Sequence, residues 1–426
     1  MPDRLFCGHE LTSELRLIPQ PIRLLSGTIP GVTRAVQQTT RDLRRHNRAA
    51  LLSQLYLHGP GSRLELMRAS GLSSATVSNV VSDLVADGLV AEAGSIDSDG
   101  GRPRTLLRVR PEFGHVVGVD IGETHLQAGL FDFALTTVAT ATYPIADAKL
   151  DPEKLAALAI SGIADVIAQV PGPVLGVGIG VPGVVKSGGL VHAPTLGWSG
   201  VPFTSMVRAG VDGPLFVDNC ARTLGQAEMW RGAGRGADRA IIALLGVGIG
   251  AAMTADSGRG VTSTTSEWGH TVIQVGGAAC RCGSRGCLEA YVGAEAILRS
   301  YRALPGATRL RASDTESRLV ELVTRAAEPG AAATVLDTTA EYLGIGISNL
   351  VNLLAPDRVV LSGWAGETLG PAILPAVRDA VRRHALDYMY GQTEIELGQL
   401  GQEAVALGAA TLPIGQLLST GGHPLA

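Results

Sequence analysis

A compact hydrophobic pattern begins near Arg41. In RRHNRAALLSQLYLHG the apolar residues recur at helical spacing until Gly59 and Pro60 end the run. SRLELMRASG predicts a second, shorter helix. Its Ser62, followed three residues later by Glu65, forms a capping box that satisfies two orphan amides of a helix start, and Gly71 marks the turn after it. SSATVSNVVSDLVADG predicts a third helix with Val77, Val80, Val81, Leu84 and Val85 on its inner face. Ser74, Thr76, Ser78, Asn79 and Ser82 lie toward the other side, all small and polar, and Gly88 stops the helix. Two short apolar stretches follow, LVAEAG and RTLLRVR, joined by SIDSDGGRPR as a glycine-rich hairpin tip. Residues 1–40 carry Pro, Gly and Thr without periodicity and read as a loosely ordered extension.

Three helices and a hairpin over residues 41–111 are the order of a winged helix-turn-helix, whose third helix is sized for the ~12 Å major groove of DNA. Small hydroxyl and amide groups at Ser74, Thr76, Ser78 and Asn79 let that helix approach closely. In GGRPR, Pro103 stiffens an extended segment carrying Arg102 and Arg104, which suits a narrow, electronegative minor groove. A module that serves only dimerisation or packing is the alternative, and the acidic residues Asp83, Asp87, Asp97 and Asp99 lend it some support.

After Glu112 the pattern changes to strands and glycine turns. HVVGVDIGETHLQAGLFDF reads as strand, turn, strand, with Asp120 at the strand end; ALLGVGIGAAM and RVVLSGWAGE repeat the theme. Such spacing predicts two α/β lobes facing a cleft over residues 112–426, with glycines that let backbone amides approach phosphate or sugar oxygens.

Charge and cysteine usage refine this picture. The chain carries 35 Lys plus Arg against 39 Asp plus Glu, a net charge of −4. The first 110 residues, which have no Lys, are net basic by four charges, so the rest is net acidic by eight. A basic front on an acidic body points to nucleic acid at the N-terminal end. No apolar run approaches the ~20 residues of a membrane span, and MPDRLFCGHELTSELRL lacks the apolar core of a signal peptide, so the chain reads as cytoplasmic. Five cysteines, three of them between residues 280 and 287, argue against a disulfide framework. His270, Cys280, Cys282 and Cys287 offer one nitrogen and three sulfurs, the donor set of a closed, tetrahedral and therefore structural zinc site. Free thiols or a labile disulfide are the alternative.

DIGET, GIGVPGVV at 178–185, NCARTLGQAE followed by RGAGRG, LGVGIG, SEWGH and CRCGSRGCLE together resemble the ROK family of sugar kinases and transcriptional repressors. The likeness covers residues 114 to about 415, and RRHN and GGRPR extend it back to about 41. EWGH with C-x-C-x4-C is highly specific; the glycine turns are not. The resemblance implies an actin-like, hexokinase-type ATPase fold of two lobes behind a small winged helix-turn-helix. It also implies a sugar pocket built by Asn219, Glu267, His270 and Glu289, with one nitrogen of His270 on the metal and the other on a sugar hydroxyl. Thr195 stands where the kinases have Asn.

The kinases of that family use the Asp of an E-N-D-A-N stretch as general base. Here the stretch is D-N-C-A-R, with Cys220 at the Asp position and Arg222 at that of the second Asn. Asp218 lies two residues early, which on an extended segment displaces it by almost ~7 Å. Glu123 and His125 replace a Gly and a Lys, Glu123 is expected to repel phosphate, and Trp364 takes the place of a Gly beside adenosine. No catalytic residue is assigned. The expectation is a sugar-responsive transcriptional regulator, a repressor without kinase activity. It should bind operator DNA as a homodimer or homotetramer, answer to a sugar or sugar phosphate, and hold one structural zinc per chain. The alternatives are an active ATP-dependent sugar kinase with a DNA-binding extension, and a repressor controlled by a protein partner.

Overall fold

The computed structural model of the chain describes residues 39–98, 101–145, 151–256 and 261–423. All but the last two residues of the expected extension therefore lie outside the described residues. The first three helices are α1 (Thr40–His58), α2 (Arg63–Ser70) and α3 (Ser74–Ala86). At the start of α2, the Glu65 backbone amide donates to Ser62 Oγ (3.3 Å) and the Ser62 amide donates to Glu65 Oε2 (2.7 Å), so the capping box closes as the sequence predicts. Val77, Val80, Val81 and Leu84 are buried, but Val85 is 40% exposed. It lies about 100° around the helix from Leu84, outside a stripe that the other four already fill.

Strands β2 (Val90–Ser98) and β3 (Gly101–Val109) form the wing. They run further into SIDSDGGRPR than a glycine-rich tip implies, leaving only residues 99 and 100 between them. A two-residue strand that the pattern was too short to reveal, β1 (Gly61–Ser62), pairs antiparallel with β3 and completes a sheet of order β1-β3-β2.

Two five-stranded sheets build the body. In the first, β4 (His115–Ile121), β5 (His125–Asp132) and β6 (Thr137–Pro144) are an antiparallel meander, and β7 (Val174–Val181) runs parallel to β4. Helix α4 (Pro152–Ile167) leads into β7. A small sheet of β8 (Val184–Val185), β9 (Val191–Ala193) and β10 (Trp198–Val201), then the short α5 (Phe203–Arg208), lead to β11 (Leu215–Asn219), parallel to β7. The second sheet follows α6 (Cys220–Arg231). Its meander is β12 (Arg239–Leu245), β13 (Ile249–Asp256) and β14 (Val261–Ser266). Helices α7 (Glu289–Val292), α8 (Ala294–Ala303), α9 (Thr315–Arg325) and α10 (Ala331–Leu354) precede β15 (Arg358–Ser362). Then α11 (Trp364–His384) and α12 (Asp387–Tyr390) lead to β16 (Glu394–Leu397), and α13 (Ala404–Ser419) closes the body. The orders β11-β7-β4-β5-β6 and β14-β13-β12-β15-β16 are the same topology used twice. The hairpin turns β4–β5 and β12–β13 are therefore equivalent positions of two lobes, as expected of an actin-like fold.

Helices α6 and α13 form the layer between the sheets. A Cβ on Gly118 or Gly178 would stand 1.8 Å from the carbonyl oxygen of Ala406 or Ala409, so only glycine lets α13 lie directly on β4 and β7. The winged helix is seated on this layer. Buried Tyr56 of α1 makes edge contacts with Phe133 (5.4 Å between centroids) and Trp230 (5.6 Å), and Arg48 Nε donates to the carbonyl of Gly421 just past α13 (2.9 Å). The stretch near residues 108–114 is likewise packed, with Phe113 5.2 Å from Phe133.

Candidate functional site

Between the two equivalent hairpin turns lies a cavity of about 470 Å3, in the range of small-ligand pockets. The first lobe supplies Asp120, the turn Gly122–His125, Gly183, Asn219 and Cys220; the second supplies Gly246–Gly250, Glu267, His270, Arg281, Glu289 and Trp364. The four residues expected to face a sugar thus line one cavity, in different states. Asn219 caps α6: its Oδ1 accepts from the amides of Ala221 (2.8 Å) and Arg222 (3.2 Å), and its Nδ2 donates to the carbonyl of Gly183 (2.6 Å). Glu267 is 57% exposed and lies 4.0 Å from His270 Nε2. Glu289 is buried and already engaged, accepting from the Ile249 amide (3.0 Å) and from Arg281 Nε (2.7 Å). Thr195 sits in the turn Pro194–Leu196, and its side chain lies outside the described residues.

On the other face of His270, Nδ1 is 3.6 Å from Cys280 Sγ, and Cys282 and Cys287 are 3.8 Å apart at sulfur. The donor atoms of all four residues lie within 4.8 Å of one another, so the cluster could hold a metal ion. The chain around it has little core of its own: Cys280, Cys287 and Ala290 make a small cluster, joined to the rest by the bridge Val272↔Cys287.

Where a kinase base would stand, burial above all, aided by the Asp120 carboxylate, pushes the Cys220 thiol well above its usual range. The thiol stays protonated at neutral pH and accepts no proton from a hydroxyl. Asp218 accepts from the Asn219 amide (2.8 Å), pairs with Arg222 (3.3 Å) and does not line the cavity. In the turn after β4, the carboxylate expected to repel phosphate is paired. Glu123 is bound by Arg281, the residue between the first two cysteines of the metal cluster, whose Nη2 donates to Glu123 Oε1 (2.9 Å) and whose Nη1 donates to the other oxygen. His125 bonds through Nδ1 to Glu316 of α9 (2.9 Å), and that bond chiefly raises the imidazole pKa and lowers the carboxyl pKa. Sequence reasoning missed Arg281 because it fills the unspecified position of C-x-C, and one of its carboxylate partners, Glu123, lies 158 positions away. Nothing in the sequence pointed to Glu316.

On the winged helix, Ser74, Asn79 and Arg104 are exposed, and Thr76 and Ser78 partly so. Arg102 belongs to β3, but its side chain lies outside the described residues. Asp83 and Asp87 do not present free negative charge: Arg44 and Arg48 of α1 bind them at 2.6 and 2.7 Å.

Among the described residues, no helix is long and apolar enough to cross a membrane. The chain resembles known proteins along most of its length. The xylose repressor of Caldicellulosiruptor bescii is 30% identical over 398 residues, covering 88% of this chain and 97% of its own length. The glucokinase of Halalkalibacterium halodurans is 31% identical over 317 residues, covering 70% of this chain and 94% of its own. A solved ROK family transcriptional regulator, a homolog of the E. coli MLC protein, superposes with a TM-score of 0.72 at 22% identity over 89% of this chain and 98% of that one, a likeness of fold. The ROK family model matches residues 116–415, and the chain belongs to the ROK family.

Proposed function

We propose that this chain is a sugar-responsive transcriptional repressor that binds operator DNA through residues 41–111 and does not transfer phosphate. The observation that carries the reading is the winged helix seated on the body. A glucokinase relative matches 70% of the chain, whereas xylose repressor relatives match 88%, a span too long to exclude this module. The exposed polar side of α3 supports major-groove contact, with Ser74, Thr76, Ser78 and Asn79 as base-facing residues and Arg102 and Arg104 as the wing's contacts. Cys220 held as a neutral thiol, and Asp218 turned to Arg222, support the loss of phosphoryl transfer.

Asn219, Glu267, His270 and Glu289 are proposed to hold the sugar effector, and the metal to be zinc. Four ligands around tetrahedral zinc at ~2.3 Å for sulfur and ~2.0–2.1 Å for nitrogen stand about 3.8 Å apart sulfur to sulfur and about 3.6 Å sulfur to nitrogen, close to the 3.8 and 3.6 Å separations here. With four protein ligands the ion is structural, and its task is to fix the ring of His270 so that Nε2 faces the cavity. A homodimer or homotetramer would match paired half-sites.

The test is selection of genomic fragments by the purified protein, with and without free sugars. The expected result is retention of a palindromic site that a sugar releases, with ATP-dependent phosphorylation of that sugar at background. Arg104→Ala should weaken operator binding by about tenfold, as loss of a charge-assisted contact to DNA does. Glu267→Ala should bind DNA and metal but lose the sugar response. An unchanged midpoint in Glu267→Ala would place the effector elsewhere.

A further inference from the structure

The cavity's charges restrict what it can take. Among the described residues, four carboxylates line it, from Asp120, Glu123, Glu267 and Glu289, against one permanent cation, Arg281. That cation is already committed. Its Nε donates to Glu289 Oε1 (2.7 Å), Nη2 donates to Glu289 Oε2 (3.3 Å) and Glu123 Oε1 (2.9 Å), and Nη1 donates to Glu123 Oε2. Two carboxylates thus occupy the fork that would receive a phosphate. The fork also lies where phosphate would have to go. Arg281 Nη2 stands 2.5 Å from the point a Cβ would take on Gly248, in the middle of the second glycine turn, while Glu123 stands in the first. Glu123 is 10% exposed and Glu289 6%, so neither carboxylate is free to swing into water.

We propose that the Arg281–Glu123 pair is the specificity determinant of this cavity: it fills the phosphate position between the two glycine turns and restricts the effector to an uncharged sugar, refusing both nucleotides and sugar phosphates. A phosphate dianion entering here must displace a carboxylate from Arg281 or lie beside several carboxylates without a cation of its own, and both are unfavourable in a partly desolvated cleft. A neutral polyol meets no such barrier; carboxylates that accept from guanidinium keep lone pairs for hydroxyl donors. The naming of a sugar rests on the function proposed above, whereas the refusal of phosphate rests on the ion pair alone.

The experiment is calorimetric titration of the full-length protein with D-xylose, D-glucose, glucose 6-phosphate and magnesium ATP. In the native protein the two phosphate-bearing probes should bind at least about tenfold more weakly than the better free sugar. Glu123→Gln keeps the shape and removes the charge, so Arg281 gains an opening for phosphate. The ratio of phosphate-bearing to free-sugar affinity should then rise by about tenfold. Adding Arg281→Met to Glu123→Gln should abolish that gain, which separates charge from space. Glu123→Gly serves if the glutamine variant melts early. Native protein that binds glucose 6-phosphate or ATP as tightly as its best free sugar overturns the proposal, and so does a ratio unchanged in both Glu123 variants. If no free sugar binds while Glu123→Gln gains affinity for ATP, the sugar reading falls and the role of the pair stands.

Discussion

Single residues in the cleft carry measurable consequences of burial. Burial raises the Asp120 carboxyl from 3.8 to about 6, and the neighbouring His125 opposes the shift. A raised carboxyl pKa means stability that is full below the unfolded value near 3.8 and is lost as pH rises through about 6. At pH 7.5 the ionised group therefore costs stability. Asp120→Asn is expected to stabilise the fold there by roughly 1–3 kcal/mol, the range reduced from the full shift because the cleft admits water. Thermal melts should show the gain at pH 7.5 and little of it near pH 4. An equal gain at both would mean that the carboxylate is not what the substitution relieves. At this scale the sequence was readable where partners are close along the chain. The capping box and the His–Cys set are local patterns, and the structure closes the first and gathers the second. Arg281 and Glu123 are 158 positions apart, and His125 and Glu316 are 191 apart, so no spacing rule could pair them. Glu123 was legible as a charge out of keeping with phosphate, but not as half of an ion pair.

Elements were legible wherever a period ran long enough. The pattern of α3 gave its inner stripe apart from Val85, and the apolar runs on either side of the DIGET turn gave β4 and β5; the two residues of β1 carry no period at all. The metal loop is the opposite case, irregular in pattern yet specified by chemistry. Its structure consists of turns, the bridges Val272↔Cys287 and Ala279↔Arg285, and very few buried apolar groups. With an ion in the cluster, such a loop would depend on the metal more than on packing. Exposed Cys282 and buried Cys287 separate these two causes. Serine at either position should release the metal, lower the melting temperature and open residues 271–288 to protease. Chelation of the native protein should do the same. Metal analysis with limited proteolysis decides it. If Cys287→Ser destabilises the loop while Cys282→Ser behaves like the native protein, packing holds it and the metal assignment fails.

Over the whole molecule, the repeated topology of the two lobes was foreseeable from recurring strand–glycine turns, whereas the seating of the winged helix was not. Along the chain the module meets the first lobe only through the short stretch near residues 108–114, which gives no sign of how it is seated. The contacts that fix it join Arg48 to Gly421, 373 positions away, and Tyr56 to Phe133 and Trp230. These contacts change how a ligand can reach the DNA-binding face. Helix α6 starts at Asn219 and Cys220 on the cavity and ends at Trp230 and Arg231, with the Arg231 guanidinium 5.4 Å from the centre of the Tyr56 ring. Helix α13 starts beside the cavity at Val405 and leads to Gly421 and Gly422, which pack on α1 and on Leu89. A shift of either helix would therefore be felt at α1 without any hinge. Coupling between sites is typically about 1–3 kcal/mol, or roughly 5–150-fold in affinity, and a ligand shifts DNA affinity only by its preference for one arrangement. Trp230→Leu keeps the site apolar while removing the ring that bears on Tyr56. The variant should bind operator and sugar each with near-native affinity, yet sugar should change its operator affinity by less than about threefold, below the usual range of coupling. Fluorescence anisotropy on operator DNA with and without sugar measures the coupling, and a melting curve confirms that the variant is folded. Full native coupling in Trp230→Leu would mean that the signal travels by another route.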